Sequence, residues 1–395
     1  MTDNMEIRSR PALKGGLLFL LNSLTVGGSE RKVVRIANAL SRRGLAMHIA
    51  YLNGPDSLLE EIDAGIPVID LQRRHRFSVG ALVRLAGYVS GSRVHRLVAV
   101  NLHPLLYASL AARLVLPRPD TVALVNTSEL RNNRDRRFMG LYAPLLRRAQ
   151  RIVFGSRGQQ RAWIRRYNLH AGRCVCILNG IDARHFSPPA AGESPAVLRR
   201  RIGIRPGDFV IGTVGAMRPE KGHKDLLRAA AMLRRDGVPA TVLLVGDGPC
   251  RAELMRCATD TGVSGATIFH GQAKDVRPLL AVMDVFVLPS TAVETFSNAA
   301  LEAMACARAV LLSDVGGARE MVTGGENGLI YPPGDTAALV GALRMLHGDP
   351  QLRACLGANA RARVINEFSF DSMLSSYQRW VVPAQSAAAG LSCSG

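Results

Sequence analysis

The chain has 395 residues, of which 48% are hydrophobic, 5% aromatic and 21% charged. That balance excludes a disordered or collagen-like chain, and at about 150 residues per domain it allows two or three folded units. The 50 Lys and Arg against 31 Asp and Glu leave a net charge of +19, which calls for an anionic partner or surface.

In chain order, Leu17–Leu21 reads as a strand and Glu30–Ser41 as a helix with Val33, Val34, Ala37 and Leu40 on one side. Further strands are expected at 47–52, 68–71, 97–100, 121–125, 152–154 and 175–178, with helical patterns at 79–89 and 104–114. The second half repeats this grammar. Strands are expected at 209–214, 241–245, 267–269, 285–288 and 310–312, and helices at 226–233, 251–258, 298–304 and 336–346. The Pro-rich stretch 188–195 reads as a linker. Residues 349–382 read as helical, broken near 368–370, and 384–395 as a disordered tail. Strands alternating with helices predict parallel sheets covered on both faces, so the fold class is α/β with two doubly wound units in series. Ligands of such units are held in loops that follow strands, at their carboxyl ends.

The positive charge is uneven. Residues 1–190 carry 29 basic and 12 acidic side chains, a net of +17, whereas 191–395 carry 21 and 19, a net of +2. The seven cysteines include no C-x-x-C pair and read as reduced thiols. No apolar stretch reaches the length of a membrane span, and no signal peptide is expected. The stretch 131–148 mixes arginines with Phe138, Leu141 and Leu145. It reads first as an amphipathic helix whose apolar side packs on the sheet, and otherwise as a segment on an anionic membrane surface with those three side chains dipping in.

Three loops after strands carry candidate chemistry. Gly215-Ala216-Met217-Arg218-Pro219-Glu220-Lys221-Gly222 puts two cations at a strand's carboxyl end, where they suit the oxygens of a diphosphate. Val245-Gly246-Asp247-Gly248-Pro249 forms a turn whose glycines permit close approach. In Glu294-Thr295-Phe296-Ser297-Asn298-Ala299-Ala300-Leu301-Glu302, two carboxylates flank a loop-to-helix junction, and the helix start can face a phosphate or sugar hydroxyls.

Together with Gly271–Val276, Asp284–Ser290, Val315–Glu320, Asn327–Leu329, Gly27-Gly28-Ser29-Glu30 and Asn179–Asp182, these blocks resemble the retaining glycosyltransferases of family 4 (group 1), which have the GT-B fold. The likeness runs from about Leu17 to Phe368. It implies two Rossmann-like domains facing across a cleft: residues 1–190 on the acceptor side, 191–366 binding the donor, and a helix over 367–383 returning to the first domain.

The resemblance implies that Arg218 and Lys221 neutralise the diphosphate of a nucleotide-sugar donor. Glu294 would contact the donor sugar, Glu302 the ribose, backbone of Phe296, Ser297 and Asn298 the sugar and phosphate, and main chain near Gln272 the base. Gly246 joins the donor-binding set. Gly27 and Gly28 would let the first domain approach the reaction centre, with Glu30 capping or orienting the first helix. Ala216 stands where the family often has Arg, and Thr295 where it often has Gly. A His common after a middle strand is missing from 125–129, leaving His103, Asn126 or Ser128 for that place.

No D-x-D triplet occurs, so metal-independent chemistry without a cofactor is expected. The expected partners are a nucleotide sugar, a glycan or lipid-linked acceptor and an anionic membrane surface, in a cytoplasmic protein peripheral to the inner membrane. A nucleotide-sugar epimerase or hydrolase on the same fold is the alternative. A nucleic-acid-binding protein, suggested by charge alone, lacks any recognition signature, so no nucleic acid is expected.

Overall fold

The computed structural model describes residues 15–25, 27–127, 133–189 and 194–382, with 133–137 as backbone. The chain forms two compact units. The first is a seven-stranded parallel sheet of β1 (Leu17–Leu21), β2 (Met47–Tyr51), β3 (Val68–Asp70), β4 (Arg96–Val100), β5 (Asp120–Val125), β6 (Arg151–Phe154) and β7 (Cys174–Cys176), in the order β3-β2-β1-β4-β5-β6-β7. Its helices are α1 (Gly28–Arg42), α2 (Val79–Gly91), α3 (Leu102–Leu114), α4 (Asn133–Arg148) and α5 (Arg157–Tyr167). All five residues of β1 are fully buried, as a central parallel strand covered on both faces requires. The face of α1 that reaches the core is Val33, Val34, Ile36, Ala37 and Leu40.

The second unit holds α6 (Pro195–Arg201), β8 (Phe209–Val214), α7 (His223–Arg235), β9 (Ala240–Val245), α8 (Arg251–Asp260), β10 (Thr267–Gly271), α9 (Arg277–Ala281), β11 (Val285–Leu288), α10 (Asn298–Ala305), β12 (Ala309–Ser313), α11 (Ala318–Met321), β13 (Leu329–Tyr331), α12 (Thr336–Gly348) and α13 (Pro350–Glu367). The sheet order is β10-β9-β8-β11-β12-β13, all parallel. Strand alternation divides its core into two layers. Val210, Phe286 and Val310 pack on the side of α10 and α13, while Ile211, Val287 and Leu311 pack on the side of α7 and α12. In both sheets the order reverses beside the first strand, between β1 and β4 and between β8 and β11. These are the switch points at which doubly wound sheets hold ligands. The short edge strand β13 has no counterpart in the expected elements.

The chain enters the second unit between Ile177 and Leu178 and leaves it between Ser372 and Met373. Both crossings differ from the expected 190/191 and 366/367. Ile181 and Phe186 are 3% and 5% exposed within the second core, so the crossing precedes the Pro-rich stretch. Ile181 N–H donates to Phe368 O (2.9 Å) and Phe370 N–H to Ile181 O (3.0 Å), which ties the outgoing and returning strands together. The last helix, α14 (Phe370–Val381), then belongs to the first unit through Met373, Leu374, Tyr377 and Val381. Arg43 donates to Gln378 Oε1 (2.5 Å) and Arg96 to Val381 O (2.6 Å). The expected tail, 384–395, lies outside the described residues.

Of the two readings of 131–148, the packed amphipathic helix is the one found over the described residues. In α4, Leu145 is buried, Phe138 packs against the first core and only Leu141 is exposed. α4 packs on α3, and the first core takes two of these three side chains. The six described cysteines are all free thiols.

Candidate active site

In the second unit, the loops following β8 and β11 meet at the switch point. Lys221 Nζ donates to Glu294 Oε2 at 2.7 Å, and Ser290 Oγ donates to the same oxygen at 3.0 Å. The pair is largely withdrawn from water, with Lys221 25% and Glu294 13% exposed in their side chains. Ion pairs there are screened far less than at the surface. Both hydrogen bonds fall on Oε2, leaving Oε1 without a partner among the described residues.

Glycine makes this closeness possible. Gly222 has φ +65° and ends the turn holding Lys221; a Cβ there would lie 1.9 Å from Pro289 O. Gly316, after β12, has φ +62°, and a Cβ there would lie 1.8 Å from Glu294 O. Only glycine suits both the dihedral and the space. Backbone bonds complete the stitching: Thr291 N–H to Glu220 O (2.9 Å) and Gly317 N–H to Thr295 O (2.8 Å). At Gly246 (φ +133°) a Cβ would meet Gly215 O at 2.1 Å, and Gly246 N–H donates to Gly271 O at 2.8 Å. The loops after β8, β9, β10, β11 and β12 thus form one connected rim.

The remaining expected donor residues lie on this rim. Ser297 caps α10, its hydroxyl accepting from Ala300 N–H (3.3 Å), and Glu302 sits one turn into the helix, half-buried. Phe296 turns its ring into the core against Phe368 at 5.3 Å, and its carbonyl accepts from Asn179 Nδ2 at 2.7 Å. Gln272 is exposed immediately after β10. Arg218 and Lys221 differ: Arg218 is exposed and in no ion pair among the described residues, whereas Lys221 is locked to Glu294. Next to Lys221, His223 is buried with Nδ1 unpartnered among the described residues. Burial, assisted by the Lys221 charge, lowers its pKa to about 4.

In the first unit, Gly27 caps α1 and Gly28 begins it. A Cβ on Gly27 would come within 2.3 Å of Glu30 Oε2. Lys32 donates to Asn126 Oδ1 (3.0 Å), and burial lowers its pKa to about 8 against the opposing pull of Glu30. His103, in the first turn of α3, has Nε2 2.5 Å from Arg73 Nη1 and Nδ1 3.5 Å from Tyr142 Oη. Arginine only donates, so Nε2 accepts and the ring is neutral. Burial first, then Arg73 and Arg76, lower its pKa to about 4. Ser128 lies outside the described residues. Among the described residues, no three His, Cys, Asp or Glu side chains converge as metal ligands.

Residues 26–185 match the sequence model "Glycosyltransferase Family 4", and residues 208–349 match "Glycosyl transferases group 1". The chain belongs to this glycosyltransferase family. Among the relatives of this family-4 glycosyltransferase is the lipopolysaccharide core biosynthesis glycosyltransferase LpsE of Rhizobium meliloti. It is 33% identical over 187 residues, 47% of this chain and 53% of LpsE. A D-inositol 3-phosphate glycosyltransferase of Salinispora arenicola is 32% identical over 240 residues, 58% of this chain and 53% of the relative. The chain therefore spans about half the length of the curated relatives it matches. The crystal structure of HepE from Anabaena with UDP and glucose superposes with a TM-score of 0.82 at 24% identity, over 93% of this chain and 99% of HepE. Sucrose-phosphate synthase from Thermosynechococcus elongatus gives 0.79 at 21% identity, over 95% and 100%. These likenesses show the GT-B fold.

One cluster in this family-4 glycosyltransferase is absent from the expected site. Arg73, Arg74, His75 and Arg76, in the loop between β3 and α2, line a cavity of about 500 Å³ together with His103. The sequence carries a signal for it: the basic run Arg73-Arg74-His75-Arg76 begins one residue after the expected strand at 68–71.

Proposed function

We propose that this chain is a retaining hexosyltransferase. It moves a sugar from a nucleoside diphosphate sugar to a hydroxyl of a lipid-linked or cell-surface glycan, without a metal or other cofactor. The observation that carries this reading is the Lys221–Glu294 pair at the switch point of the second sheet. Family membership supports it, as do relatives named for lipopolysaccharide core biosynthesis and for mannosylation of a phosphatidylinositol monomannoside.

In this reaction the bond from the anomeric carbon to the diphosphate breaks. The acceptor oxygen bonds to that carbon on the same face, and the departing phosphate oxygen takes the acceptor's proton. Negative charge therefore grows on the diphosphate. Lys221, aimed in advance by Glu294 and Ser290, stabilises that charge at no reorganisation cost, and Arg218 adds a second cation from solvent. Glu294 Oε1 is left to accept from donor-sugar hydroxyls and Glu302 from the ribose. Main chain near Gln272, the turn at Gly246 and the backbone of Phe296, Ser297 and Asn298 hold the base, phosphates and sugar. In the first unit, His103 serves the acceptor side, and Gly27 and Gly28 at the start of α1 allow a ligand close approach. The net +17 of residues 1–190 supports a site of action at an anionic cytoplasmic membrane face. No described helix is long and apolar enough to cross that membrane.

The test is product analysis with a panel of nucleotide sugars, each with and without an acceptor glycan. Transfer with the donor's anomeric configuration kept is expected. Release of free sugar or of an isomerised nucleotide sugar at the same rate without acceptor overturns the proposal in favour of a hydrolase or epimerase.

A further inference from the structure

The donor chemistry leaves the cavity of the first unit unused. Its cationic loop is clamped at both ends. At the β3 end, Arg84 donates to Leu71 O (3.1 and 2.7 Å) and to Gln72 O (3.2 Å). At the α2 end, Tyr107 Oη donates to Arg76 O (3.2 Å) and accepts from Ser78 N–H (2.8 Å). The guanidinium groups are positioned as well. Arg73 donates to His103 Nε2 and to Asn53 Oδ1 (2.5 and 3.1 Å), and Arg76 lies 3.9 Å from the centre of the Phe138 ring.

No carboxylate lines this cavity among the described residues, and none of Arg73, Arg74 or Arg76 is in an ion pair there. Three cations on four consecutive positions repel one another, so without a counter-ion this arrangement costs free energy. One donor is still unspent among the described residues: Arg73 Nε is buried and has no hydrogen-bond partner there. The cavity also takes in Asn101 and Leu102 at the start of the 13-residue helix α3, whose dipole adds positive potential. Forked donors, a helix start and a missing acceptor together describe a receptor for a tetrahedral oxyanion; a carboxylate would satisfy fewer of them.

We infer that the Arg73–Arg76 cavity binds a phosphate group carried by the acceptor, so that the acceptor is a phosphorylated sugar or a polyisoprenyl-phosphate-linked glycan. This rests on the glycosyltransferase reading above. His103 acts in it as a positioning residue, accepting from Arg73 and staying uncharged beside it.

The full-length protein is titrated by calorimetry with glucose 6-phosphate, with glucose, and with phosphatidylcholine vesicles containing a polyisoprenyl phosphate, each in the presence of UDP or GDP. Wild type is expected to bind a phosphate-bearing probe and not glucose. Arg73→Gln and Arg76→Gln should weaken that binding at least tenfold with nucleotide affinity unchanged. Arg74→Gln, at an exposed position that the fold tolerates, should weaken it severalfold and keeps the test decisive if the buried variants misfold. Glucose 6-phosphate binding identifies a soluble acceptor, and vesicle binding a lipid-linked one. The inference is overturned if no phosphate probe binds wild type, if binding survives all three substitutions, or if the substitutions abolish nucleotide binding instead. Arginine-dependent phosphate binding without any nucleotide binding would uphold the subsite and remove the transferase reading.

Discussion

Lys221 and Glu294 are 73 positions apart in the chain, yet their charged atoms stand 2.7 Å apart because β8 and β11 are neighbours in the sheet. Neither residue is free to wander, since Gly222 and Gly316 let the supporting loops close to contact. The pair is a cation held ready, and its loss should register in turnover before it registers in folding.

Lys221→Ala should lower kcat/KM by about 10²–10³, the usual cost of losing one pre-organised donor to developing negative charge. Glu294→Gln should also lower it, because Lys221 then loses its aim. Steady-state kinetics beside thermal melts check this. Near wild-type rates in both variants would remove the site.

Glu302→Ala should raise the donor KM while the melting temperature without ligand stays within a few degrees of wild type. A nucleoside diphosphate at 100 times its dissociation constant adds about 2.7 kcal/mol to wild type. The variant should show a smaller thermal shift at the same concentration. Turnover should persist in excess EDTA, and activity that magnesium or manganese alone restores would contradict the absence of a metal requirement.

Gly222→Ala should destabilise the fold by roughly 2 kcal/mol or more and depress activity further, since the new Cβ meets Pro289 O at 1.9 Å in a left-handed turn. Gly341→Ala is the matched control. Gly341 is exposed in the interior of α12, and an added Cβ there would meet nothing within 4 Å, so alanine should stabilise by about 0.5–1 kcal/mol. Urea denaturation of both variants measures the contrast.

Stability should fall as pH drops from 6.5 to 4. His223 and His103 have folded pKa values of about 4, below the ordinary 6.5, and His48 is lowered too, each chiefly by burial. In that window the unfolded chain binds protons that the folded one refuses, so acid favours unfolding, and above pH 6.5 the effect is complete. For the almost fully buried His223, a shift of this size corresponds to about 3 kcal/mol. Melting temperature against pH should therefore slope less steeply in His223→Leu than in wild type. An unchanged slope would show that His223 titrates alike in both states.

Much of this was open to reading along the chain. Leu17–Leu21 reads as buried on all sides, because five consecutive apolar residues have no polar face to show, and its shortness makes it a strand. Arg218, Lys221, Glu294 and Glu302 stand out because loops after strands are where an α/β unit places its chemistry. Local periodicity and turn residues act over a few positions, and a single chain displays them directly. Pairings between distant segments left no such mark. That Lys221 would be locked to Glu294 while Arg218 stays in solvent depended on β8 lying beside β11. That Arg73 would meet His103, and that Leu145 would be buried in the first core while Leu141 stays exposed, depended likewise on which helices cover which face. Those outcomes were settled by burial of the strands against one another and against their helices, a long-range balance to which no short stretch of sequence corresponds.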